Sequence, residues 1–203
     1  MNLRRNCLPL LLTLMASISI TNGADKDKNK FSPGPASSFD SKQSDSGVTV
    51  AAVAYDTEAL AITAFGKMNP YEHGVLPVLV VIQNDSKKAI KLERLDAQYI
   101  AADREKIEPT SPQDVPRLRP PQRPNMNGTP LPGLGRKKKN PLGGPEIEGR
   151  AFAAKMLPPG ESAYGFFYFQ TGHRGGSKLY LKGMEEAATG KELYYFEIPL
   201  GAH

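Results

Sequence analysis

Cysteine is almost missing from this chain, and tryptophan is absent altogether. The single cysteine, Cys7, precedes an apolar run, whereas a lipid-attachment signal places its cysteine just after one. That run, Leu8 to Ile20, follows Arg4 and Arg5 and leads to Thr21 and Gly23, small residues at −3 and −1 of a cut before Ala24. The order is that of a secretory signal peptide over residues 1–23. Cleavage removes Cys7, so the mature chain has no disulfide, no thiolate nucleophile and no cysteine-bound metal. A domain without covalent staples needs a core large enough to hold it alone. The 180 residues that remain allow one such domain with appendages.

Histidine is scarce as well. His73, His173 and His203 are far apart, and none has the i, i+4 partner that a zinc site on a helix requires. No metal and no cofactor is expected. No second apolar run approaches the ~20 residues of a membrane span, so no integral span is expected after cleavage. The formal charge is +5, and the leader takes two arginines and no acid with it, leaving +3. Catalytic motifs are missing too. Gly160-Glu161-Ser162-Ala163 lacks the second glycine of a nucleophile elbow. Gly183 to Lys191 has the wrong spacing for a phosphate loop, and Lys191 is followed by Glu192. Both read as turns, with Glu185-Glu186 solvated in the second.

Alternation is what the chain has in quantity. Residues 24–46, charged and then Ser/Pro/Gly-rich, carry too few apolar groups to offset ordering entropy and are expected to form a disordered linker. A sandwich domain is expected over 47–200. Val48, Val50 and Ala52 alternate as a first strand, and Asp56 is expected to cap a single short helix over 57–65 ended by Gly66. Residues 75–83 (VLPVLVVIQ) are apolar on both faces, which suits a central strand covered on both sides. Ile90/Leu92, then Ala97, Tyr99 and Ala101, continue with a phase slip at Arg94-Leu95. Phe152, Ala154 and Met156 alternate before a Pro-Gly turn. Tyr164, Phe166 and Tyr168 fall on one face of the next strand and Phe167 with Phe169 on the other. Leu179/Leu181 and Phe196/Ile198 complete the core.

Many short strands and almost no helix make an all-β sandwich the economical fold, with a small barrel as competitor. VLPVLVVIQNDS followed by AIKLERL, and LPPGES followed by AYGFFYF, resemble exported bacterial immunoglobulin-like domains over residues 47–110 and 147–200. The resemblance implies an immunoglobulin-like antiparallel β-sandwich and carries no catalytic residue. The chain departs from antibody-type domains in lacking the cysteine pair and the tryptophan.

One stretch stands outside this grammar. Between 117 and 139 there is no acidic residue, and Arg117, Arg119, Arg123, Arg136, Lys137, Lys138 and Lys139 fall within it. Prolines and glycines through residue 145 oppose regular structure, so 117–145 reads as a long proline-rich insertion loop. Loops beyond ~12–15 residues are uncommon in compact domains and often functional. These cations suit an anionic surface polymer or lipid headgroups. The loop holds no aromatic residue for base stacking, so single-stranded nucleic acid is not the expected partner. The reading that follows is an exported binding module of a bacterial envelope, periplasmic or secreted, whose partner is an envelope protein or an anionic polymer. A structural accessory of an envelope assembly and a secreted hydrolase with scattered carboxylates are the alternatives, and fold alone does not choose among them.

Overall fold

A computed structural model describes residues 31–118 and 140–201. Its strands are β1 (Lys42–Asp45), β2 (Val48–Ala54), β3 (Leu76–Asn84), β4 (Ile90–Lys91), β5 (Asp96–Ile100), β6 (Lys106–Ile107), β7 (Met156–Leu157), β8 (Ser162–Phe169), β9 (Lys178–Lys182), β10 (Glu185–Glu186) and β11 (Phe196–Pro199). They form three antiparallel sheets, in the orders β1-β2-β3-β8, β11-β9-β5-β6 and the short β10-β4-β7. Two helices, α1 (Glu58–Phe65) and α2 (Pro145–Arg150), accompany them. The fold is the expected all-β antiparallel sandwich, and the sheets do not close into a barrel.

Strand β3 is the shared wall, as its two-sided apolarity predicts. Leu76, Val78, Val80 and Ile82 join Leu179, Leu181, Phe196 and Ile198 in the core between the two larger sheets. Leu79 and Val81 face the other way and pack with Phe166, Tyr168, Phe65, Leu142 and Ile147 under the helices. Of the residues expected in the core, Val80, Ile82, Phe169, Leu179, Leu181, Phe196 and Ile198 are fully buried. Phe167 is only half-buried and lies flat against Phe152, their ring centroids 5.6 Å apart.

Several local expectations are corrected. The linker expected over 24–46 gives way from Phe31 onward to packed structure. Phe31 meets Tyr55, Tyr164 and Phe166, Ala36 is completely buried, and β1 pairs with β2 through Asp45↔Val48. Left-handed φ values at Ser46 (50°) and Gly47 (80°) close that two-residue hairpin, as a primed turn requires. The domain therefore begins before residue 47. Thr57, not Asp56, caps α1, its hydroxyl oxygen accepting from the amide of Leu60. The insertion expected over 117–145 ends in α2, whose Pro145 occupies the first turn, where the missing N–H costs nothing. The strand expected at 152–156 shrinks to β7, and Met156 is exposed.

Candidate functional site

Of the seven basic positions singled out above, Arg117 is described. It lies exposed in a 3-10 turn over Val115–Arg117 and donates to Asp114 at 2.8 Å. Arg119, Arg123, Arg136, Lys137, Lys138 and Lys139 fall outside the described residues. The two flanks of that stretch are described, and the fold brings them together. The Asn140 side-chain amide donates to the carbonyl of Pro116, while its Oδ1 accepts from the amide of Leu142 at 3.1 Å. Val115, Leu142 and Ile147 are completely buried on either side of this junction. The phenol of Tyr168 donates to the carbonyl of Ile147 at 2.8 Å, fixing α2 to β8. Burial pushes the Tyr168 hydroxyl well above its ordinary range, so it stays protonated and serves as a donor. A cavity of about 450 Å³ opens beside the Asn140 flank, lined by Lys67, Asn69, Glu72, His73 and Glu146 among others.

Two polar groupings elsewhere explain residues that sequence reading passed over. Tyr99, completely buried, places its hydroxyl 2.7 Å from Ser177 Oγ and 3.2 Å from His173 Nδ1, and accepts from the amide of Arg174 at 3.3 Å. His173 Nε2 faces the carbonyl of Gly201 at 3.0 Å. Ser177 is 1% exposed, and this Tyr–Ser–His set fastens the 171–177 loop to β5 and to Gly201 beyond the last strand. Glu186, expected in a wet turn, is instead buried. It accepts from Lys88 Nζ at 2.7 Å and from Thr189 Oγ1 at 2.8 Å. The hydrogen bond from Lys88, then that from Thr189, holds its carboxyl below the ordinary range, with burial opposing. Among the described residues, no group of three His, Cys, Asp or Glu side chains is placed to hold a metal ion.

The two faces of the sandwich differ. The outer face of β1-β2-β3-β8 lies under α1, α2 and Val115. On the β11-β9-β5-β6 sheet, Lys178, Tyr180 and Lys182 point away from buried Leu179 and Leu181, and Glu197 away from Phe196 and Ile198. Register aligns Glu197, Tyr180 and Gln98 across three strands. The ring of Tyr195, 52% exposed, lies 5.3 Å from that of Tyr180. Lys178 pairs with Glu197 and Lys182 with Asp96, both at 3.4 Å, and Gln98 donates to Glu108 at 2.6 Å. Tyr180 alternates with Leu179 and Leu181 along the sequence, and Tyr195 precedes the inward Phe196, so period-2 patterning turns both tyrosines away from the core. Their contact depends on the β9–β11 register, which the sequence does not display.

No family model matches the sequence, and no curated protein matches it. Among solved structures, a protein assigned as a lipoprotein in Bacillus subtilis aligns at 14% identity with a TM-score of 0.38, over 78% of this chain and 38% of its own. This chain thus spans well under half of that structure. A secreted protein of Mycobacterium tuberculosis aligns at 13% identity with a TM-score of 0.31, over 81% of this chain and 95% of its own. Likenesses this distant carry no weight for fold or function, and the class stated here, an all-β antiparallel sandwich, rests on the chain's own strand pairing. No helix among the described residues is long and apolar enough to cross a membrane.

Proposed function

We propose that this protein is an exported, non-catalytic binding module of a bacterial envelope that presents the basic stretch between Arg117 and Lys139 to an anionic surface polymer. Export rests on the n-region, apolar run and small residues of 1–23. The observation that carries the binding reading is the junction of Asn140 with Pro116. It holds both flanks of an acid-free, cation-rich stretch side by side on a buried footing. Charge that a core does not need for its stability is free to serve a partner.

The experiment uses the mature chain and a variant with Arg136, Lys137, Lys138 and Lys139 replaced by Ser, on heparin–agarose and on anionic liposomes at two salt concentrations. The wild type is retained at low salt and released as salt rises, because phosphate- and sulfate-type contacts release counterions. The variant elutes earlier, with an unchanged melting temperature. Equal retention of the two proteins defeats the proposal. N-terminal sequencing of the exported protein starts at Ala24 if the leader is cleaved as read, and at Met1 if it is not.

A further inference from the structure

The outer face of the β11-β9-β5-β6 sheet, which no other described element covers, has a chemistry unlike that of the basic stretch. Lys178 pairs with Glu197 and Lys182 with Asp96, and exposed Lys106 is offset in number by Glu108, so the face carries no excess charge to attract a polyanion. Its charged residues stand between the apolar ones, whereas the centre of a protein–protein interface is depleted of charge. What remains is a pair of tyrosine rings in contact, Tyr180 and Tyr195, ringed by carboxylates, ammonium groups and the Gln98 amide. Tyrosine supplies a rigid, amphipathic contact surface at low entropic cost.

A neutral glycan matches each of these features. The C–H face of a sugar ring stacks on an aromatic ring. Its hydroxyls both donate and accept, and so use carboxylates and ammonium groups together without requiring either to be in excess. We infer that this sheet face binds a neutral glycan strand, with Tyr195 and Tyr180 as the stacking platform and Gln98, Glu197 and Lys182 as partners for its hydroxyls. The site is separate from the basic stretch, and neither reading depends on the other.

The test is affinity electrophoresis of the mature chain through gels containing hydroxyethyl cellulose, together with co-sedimentation on chitin. Tyr195 is half exposed, so its truncation leaves the core intact. Tyr195→Ala weakens binding by about tenfold or more, as loss of a tyrosine anchor does. Tyr195→Phe, which keeps the ring, stays close to wild type. Met156→Ala, which removes an exposed apolar side chain on another sheet, changes nothing. Binding persists at ~0.5 M salt, where exposed charge contacts are screened, and persists in the Arg136–Lys139 serine variant. Absence of wild-type binding to both glycans overturns the inference. So does equal binding by Tyr195→Ala, or binding that salt or the serine variant abolishes.

Discussion

Glu186 is a carboxylate 7% exposed, joined to a lysine 98 residues away in the chain. That distance is why the sequence displays it as one more acid in a polar turn. Its pKa is lowered in the folded state, so the paired carboxylate stabilises the fold above the ordinary Glu range, near ~4.3. The contribution is lost as pH falls through the lowered folded value. Glu186→Gln is therefore less stable than wild type in urea titrations at pH 7, and the gap between the two narrows as pH falls below the ordinary Glu range. A gap that stays constant with pH would mean that the charge of Glu186 contributes nothing. Asn84 is a similar case. It ends β3, and its Oδ1 accepts from the amide of Ser86 at 3.1 Å to start the turn that follows. Its fully buried side-chain nitrogen also lies within 3.1 Å of the carbonyls of Lys88, Leu157 and Pro158, which share its two N–H groups and lock three strand ends at one point.

At the level of elements, periodicity reveals what is regular and hides what is local. The two-faced patterns of 75–83 and 164–169 identify β3 and β8 because each face is buried by a different layer. β1 is hidden because its residues, Lys-Gln-Ser-Asp, are polar and lie at a sheet edge, where backbone pairing rather than side-chain burial holds them. α2 is hidden because six residues that begin at a proline and contain Gly149 offer no helical period. β8 also carries a glycine whose purpose emerges only in three dimensions. Gly165 lies where residues 151–152 run alongside the strand, and a Cβ there would meet the Phe152 amide nitrogen at 2.6 Å. Gly165→Ala is expected to cost about 1–3 kcal/mol, the usual penalty of overpacking, read as a lower urea midpoint. An unchanged midpoint would mean that the 151–152 segment yields freely.

Across the whole molecule, the fold class was legible and the candidate site only in part. Alternation and the near-absence of helix identified a sandwich. Charge composition identified the basic stretch. Neither could show that the flanks of that stretch meet at Asn140 and Pro116, because such a meeting is a property of the closed fold. The same meeting bears on how the chain divides. Residues 31–118 supply β1, β2, β3, β4, β5 and β6, while residues 140–201 supply β7, β8, β9, β10 and β11. All three sheets draw strands from both segments, and β3 of the first lies against β8 of the second over eight paired positions. A protease site engineered between 119 and 139 therefore leaves two pieces that co-elute in native buffer and separate only in denaturant. Separate elution without denaturant would contradict this. Seen this way, the domain is a pair of complementary fragments that happen to be born on one chain, a natural template for split-protein reassembly.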